Sequence, residues 1–157
     1  MTEENTPQDD QPVFVINGQY IKDLSFEVPN APQIFGELNK GAPDIPINVD
    51  IQVNKFPNNV FEVVLHLQID SKLGDARCFL VELAYAGVFT VNVAQEHLQP
   101  MLFIECPRML FPFARAIIAD MTREGGFPPL MMQPIDFSVM YRQRMEHIAR
   151  QQPAGNA

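Results

Sequence analysis

The clearest signal along the chain is a two-residue alternation of apolar and polar positions. Ile45, Ile47, Val49, Ile51 and Val53 alternate with Pro46, Asn48, Asp50, Gln52 and Asn54, the period of a half-buried strand. Phe56-Pro57-Asn58-Asn59-Val60 is a turn signal. The alternation then resumes, with Phe61, Val63, Leu65, Leu67 and Ile69 against Glu62, Val64, His66, Gln68 and Asp70. Leu73-Gly74-Asp75 makes a second tight connection into a strand from about Arg77 to Phe89. There Phe79, Val81, Leu83 and Tyr85 line one face and Cys78, Leu80, Glu82 and Ala84 the other. An earlier strand, Tyr20 to Glu27, places Tyr20, Leu24 and Phe26 on one face and Asp23, Ser25 and Glu27 on the other. Adjacent strands with short links predict an antiparallel meander. Pro29, Pro32, Pro43 and Pro46 bracket a connection of about fifteen residues, near the upper limit for a loop without a function.

After Asn92 the period lengthens. Met109, Leu110, Phe113, Ala114, Ile117 and Met121 recur at helical spacing, and Gly125-Gly126 followed by Pro128-Pro129 stops the helix. Pro107 suits a first turn, whereas Pro112 inside a helix costs ~3 kcal/mol and bends it. The spacing therefore predicts a long helix that is kinked or starts late. Asp136 is the expected N-cap of a second, shorter helix, whose apolar stripe is Phe137, Met140, Tyr141, Met145 and Ile148. The pattern describes one α+β domain over residues 13–150: a four-stranded antiparallel sheet, a long helix and a shorter C-terminal helix. Residues 1–12, with acids and no bases, read as a disordered tail, and 151–157 as a flexible one.

Composition narrows the function. The chain has 157 residues, 46% hydrophobic and 19% charged, and a formal charge of -8. A surplus of acids argues against nucleic-acid binding, which needs Lys and Arg on phosphates, and against an anionic membrane surface. It favours basic partners. Neither a membrane-spanning apolar run nor the basic-then-apolar pattern of a secretory signal is visible, which predicts the cytoplasm without direct membrane insertion. Cys78 and Cys106 are then expected to be reduced, small core residues.

Catalytic constellations are missing. His66, His97 and His147 do not stand at ligand spacing with each other or with the cysteines, so no metal site is expected. There is no phosphate loop, nucleophile elbow or dinucleotide fingerprint. Gly125-Gly126 ends a helix instead of opening one. The reading is of a non-enzyme without cofactors.

The informative excess is apolar. The third and fourth strands place Val60, Val64, Leu80 and Ala84 on a face that helices on one side of the sheet would leave polar. Phe127-Pro128-Pro129-Leu130-Met131-Met132 adds apolar groups in a loop. Eight Met and twelve Phe supply flexible, polarizable contact surface. Oligomer burial accounts for such a surplus, and so does a surface that receives varied apolar segments.

The motifs themselves resemble a known family. Tyr20-Ile21-Lys22-Asp23-Leu24-Ser25-Phe26-Glu27 with Pro29-Asn30-Ala31-Pro32, Tyr85-Ala86-Gly87-Val88-Phe89, Cys106-Pro107-Arg108-Met109-Leu110-Phe111-Pro112-Phe113-Ala114-Arg115, Gly125-Gly126-Phe127-Pro128-Pro129-Leu130 and Pro134-Ile135-Asp136-Phe137 resemble, in unbroken order, SecB, the bacterial protein-export chaperones. The resemblance implies a homotetramer, a dimer of dimers, that binds unfolded precursor proteins without ATP, keeps them translocation-competent and delivers them to the SecA ATPase.

By the same resemblance, the SecA contact maps onto Asp23, Glu27, Leu80 and Glu82. Clients would meet Phe35, Ile45, Ile47, Val49, Phe127, Leu130 and Phe137, although a single Phe on a helix stripe is more often core. The seam between subunits would use Val81, Leu83, Met109, Leu110, Phe113 and Ile117. Family members often end in a charged tail that docks on the zinc-binding end of SecA. This chain ends Arg150-Gln151-Gln152-Pro153-Ala154-Gly155-Asn156-Ala157, without an acid, which speaks against that contact. The competing class is a carrier or adaptor for a small apolar ligand, which predicts a closed cavity.

Overall fold

The computed structural model describes residues 11–152. The expected tails, 1–12 and 151–157, lie outside them apart from Gln11, Pro12, Gln151 and Gln152. The chain forms β1 (Val13–Glu27), α1 (Gln33–Glu37), β2 (Ile47–Phe56), β3 (Val60–Leu73), β4 (Ala76–Asn92), α2 (Gln95–Pro100), α3 (Cys106–Glu124) and α4 (Phe137–Gln151).

The meander holds for β2, β3 and β4 only. The sheet order is β1-β4-β3-β2, so β1 pairs with β4 and not with its neighbour in sequence. The β2–β3 turn is made by Asn58 and Asn59 at φ 65 and φ 60, the left-handed pair of a tight hairpin. Gly74, at φ 61, turns β3 into β4. The proline-bracketed connection is not a bare loop: it holds α1 and a 3₁₀ turn, Leu38–Lys40, anchored by buried Ile34.

One expectation for β1 is corrected. The register with β4 shifts between Ile21 and Asp23, so Lys22 is the extra residue of a bulge, and a bulge reverses the parity of the strand beyond it. Leu24 and Phe26 face the core opposite Leu83 and Val81, but Tyr20 pairs with Ala86. It therefore shares the face of Asp23, Ser25 and Glu27.

The core lies between the helices and the sheet face of Phe61, Val63, Leu65, Leu67, Ile69, Phe79, Val81, Leu83 and Phe89. Among the described residues, the opposite face carries no helix. Val64, Ala84 and Ala86 form a small buried cluster there, and Val60 and Leu80 are half-buried.

The long helix starts earlier than its stripe suggested. It runs from α2 through a π turn, Met101–Glu105, into α3. The Cys106 N–H reaches back five residues to the Met101 carbonyl. The widened turn makes room just where Pro107 has no N–H to donate and would crowd the carbonyl four residues before it. The core-facing line of α3 is Cys106, Leu110, Phe111, Ala114, Ile118 and Thr122, rotated from the expected stripe, so Met109 and Phe113 point outward at 38% and 50% exposure. Asp136 caps α4 as expected, accepting from the Val139 N–H at 3.1 Å. Of the α4 stripe only Phe137 is buried, while Met145 and Ile148 stay exposed.

Candidate binding faces

Two surfaces on opposite sides of the sheet bring the predicted residues together. On the helix-free face, Ser25 stands opposite Glu82 and Glu27 opposite Leu80, with Asp23 opposite Ala84. Directly opposed residues share a face, so Asp23, Glu27, Leu80 and Glu82, from two strands far apart in sequence, form one patch. Beside it a shallow, open concavity of about 640 Å³ is lined by Lys22, Asp23, Asp50, His66, Gln68 and Glu82 among others. Carboxylates outnumber cations there, the complement of a basic partner.

The floor of this face is held by a group that sequence reasoning missed. Glu62 is 7% exposed. Its carboxylate accepts from Lys22 Nζ at 2.8 Å, from Asn54 Nδ2 at 2.9 Å and from the Tyr20 hydroxyl. Burial alone would raise its pKa, but the bonds from Lys22, Tyr20 and Asn54, with the charge of Lys22, hold it at about 2. Burial first, then the bond and charge of Glu62, push the Tyr20 phenol up to about 12. Nothing local signals this network, because its members come from three strands.

On the helix side, Phe35 of α1 packs against Phe127 at 5.2 Å between centroids, Phe127 against Phe79 at 5.0 Å, and Phe79 against Phe26 at 5.8 Å. Phe35 is 36% exposed, Leu130 is half-buried and Met131 is 63% exposed. Gly125 and Gly126 sit in the bend of this aromatic row. A Cβ on Gly125 would overlap the Phe26 ring, and one on Gly126, which sits at φ +92, would stand 3.0 Å from the Phe35 ring.

The remaining client candidates separate. Ile45 and Ile47 are exposed and Val49 is half-buried, at or just before the start of edge strand β2. Phe137 is 1% exposed, edge-on to Phe111 in the core, so it offers no surface to a client. Along β2, Arg144 of α4 lies over the Phe103 ring at 4.5 Å and donates to the Ile51 carbonyl at 3.4 Å. Together with Met140, Tyr141 and Asp50, these residues line a crevice of about 130 Å³. The spacing of Phe103 and Tyr141 gave no hint of this meeting.

The expected seam residues also divide. Val81, Leu83 and Leu110 are buried within the chain's own core and have no surface left for a second chain. Met109 and Phe113 are exposed and Ile117 is half-buried. Phe113 stacks on Tyr85 at 6.2 Å, and Tyr85 pairs with exposed Ile21 of β1, so an apolar patch continues from α3 onto the sheet edge.

Both cysteines are buried and free. Burial, with the nearby Glu105 charge, pushes the Cys106 thiol up to about 12. Among the described residues, no three His, Cys, Asp or Glu are grouped to hold a metal, and no helix is long and apolar enough to cross a membrane.

The profile of a family described as SecB, preprotein translocase subunit SecB, matches residues 7–148. The chain belongs to the SecB family. It is 54% identical to the protein-export protein SecB of Paramagnetospirillum magneticum over 152 residues, covering 97% of this chain and 98% of that protein. The SecB of Rhodospirillum rubrum is 53% identical over 155 residues, covering 99% and 96%. A SecB-like chaperone of Mycobacterium tuberculosis, solved with a peptide of the HigA1 antitoxin, has the same fold at 16% identity and a TM-score of 0.65, over 78% of this chain and 90% of that one. SecB membership makes the chain a chaperone of protein export.

Proposed function

We propose that the chain assembles as a homotetramer, a dimer of dimers, that binds unfolded precursor proteins in the cytoplasm, keeps them competent for export and delivers them to the SecA ATPase. The segregation of two chemistries across one sheet carries this reading. Asp23, Glu27, Leu80 and Glu82 gather on the helix-free face, while Phe35, Phe127 and Leu130 gather on the helix side.

Clients are taken by burial of apolar segments, worth about 25 cal/mol per Å² and offset by ordering costs. Binding the unfolded state draws population from folding by mass action, so release requires only competition or transfer. The acidic rim favours extended segments that also carry bases. SecA docks on the acidic patch. Exposed Val15, Ile16 and Ile21 on edge strand β1, with Met109 and Phe113 of α3, supply self-complementary surface for assembly, since an apolar edge strand invites pairing. The carrier reading is disfavoured because the larger concavity is open to solvent, whereas a small apolar ligand calls for an enclosing cavity.

Native mass spectrometry of the full chain with a permanently unfolded polypeptide tests the proposal. One tetramer holding one long chain, and no complex with the folded form of the same polypeptide, is the expected result. A monomer, or equal binding of folded and unfolded forms, would sink it.

A further inference from the structure

Thr122 is fully buried in the last turns of α3. Its hydroxyl donates to the Ile118 carbonyl at 2.9 Å, within reach also of the Ala119 carbonyl at 3.0 Å. The same oxygen accepts the N–H of Leu130 at 2.9 Å. The Thr122 carbonyl accepts the N–H of Phe127 at 3.0 Å. In the segment Phe127-Pro128-Pro129-Leu130 the two prolines carry no N–H. The segment therefore has only two backbone donors, at its ends, and both terminate on Thr122.

That arrangement does more than satisfy polar groups. A four-residue loop with prolines at its centre has little freedom between its ends, so tying both ends to one residue sets where Phe127 and Leu130 stand. Phe127 is thereby held against Phe35 and Phe79, and Leu130 is held half-buried beside exposed Met131. We infer that Thr122 is the positioning residue of the apolar client surface, acting through its hydroxyl bond to Leu130 without touching the client. This inference rests on the reading of Phe35, Phe127 and Leu130 as client-binding. Pre-ordering such a surface lowers the entropy lost when a client binds.

The test uses the assembled full-length protein with Thr122→Val, which keeps the shape and deletes the hydroxyl, and Thr122→Ser, which restores it. Three quantities are read: affinity for a reduced, carboxymethylated and permanently unfolded polypeptide, affinity for SecA, and hydrogen exchange at the Leu130 amide. Thr122→Val is expected to weaken the polypeptide complex roughly three- to tenfold, the scale of one lost hydrogen bond. It is also expected to speed Leu130 exchange, with SecA affinity and assembled mass unchanged, and Thr122→Ser should recover both losses. Unchanged polypeptide affinity in Thr122→Val, equal loss of both partners, a change of mass, or failure of Thr122→Ser to restore binding each overturns the inference. Phe35→Ala and Leu130→Ala separate the two levels. If they weaken polypeptide binding and Thr122→Val does not, only the role of Thr122 fails. If they too bind normally, the client reading of this surface fails with it.

Discussion

Glu62 of β3 accepts a hydrogen bond from Lys22 of β1 at 2.8 Å, although β4 runs between the two strands. The contact is possible because the β4 residues beneath this face, Ala84 and Ala86, are small and buried, leaving room for longer side chains to meet above them. Lys22 is also the bulge residue that sets Asp23 and Glu27 on the acidic face. One buried carboxylate thus ties down the turning point of β1.

Glu62→Gln is expected to destabilise the subunit by about 1–3 kcal/mol, the cost of breaking a nearly buried charge network from one side. The pH dependence has a definite sign. The folded carboxyl, at about 2, lies below its ordinary 4.5. Its stabilisation is therefore present above about pH 4.5 and is lost as pH falls toward 2. Tyr20 acts in the opposite direction: its folded value of about 12 lies above the ordinary 10, so its share is present below pH 10 and is lost as pH rises toward 12. Urea unfolding across both windows, wild type against Glu62→Gln, should show a flattened acid limb in the variant; parallel acid limbs would contradict the assignment.

Gly125→Ala should cost about 1–3 kcal/mol, because the new methyl meets the Phe26 ring and Phe26 is stacked on Phe79 at 5.8 Å. Thermal unfolding measures the loss. Adding Phe26→Leu should return part of it, and full additivity of the two changes would rule out the steric cause.

Reversal of Asp23 and Glu27 together to Lys places two cations on the patch shared with Glu82 and Leu80. SecA affinity should fall at least tenfold, mainly through slower association that weakens further with salt, while unfolded-polypeptide binding stays within about twofold. Titration of both partners against the same variant decides it, and equal losses would remove the patch as the SecA site.

Arg144→Ala removes a guanidinium stacked on Phe103 and a bond to the Ile51 carbonyl. Because α4 buries only Phe137, those contacts are a large part of what holds its far end. Hydrogen exchange along α4 should quicken severalfold with a change in global stability of about 1 kcal/mol or less. Unchanged exchange would show that α4 is held by other means.

What could be read along the chain is what depends on near neighbours. Alternation marked β2, β3 and β4, the Asn pair and Gly74 marked their turns, Asp136 marked a helix cap, and Gly125-Gly126 marked a helix stop. The ordered motifs by themselves resemble SecB. The bulge at Lys22 left no such mark, since an extra residue in a strand shows only against the partner strand. For that reason alternation alone sets Tyr20 on the wrong face. The pairing of β1 with β4, and the turn of α3 that hides Leu110 and exposes Phe113, were likewise settled by surfaces distant in sequence. So were the convergence of Tyr20, Lys22 and Asn54 on Glu62 and the two bonds that Thr122 makes to its loop. Periodicity names the elements; the partner each one meets, and so which side chains remain outside to bind, is decided only when distant strands and helices compete to bury the same apolar area.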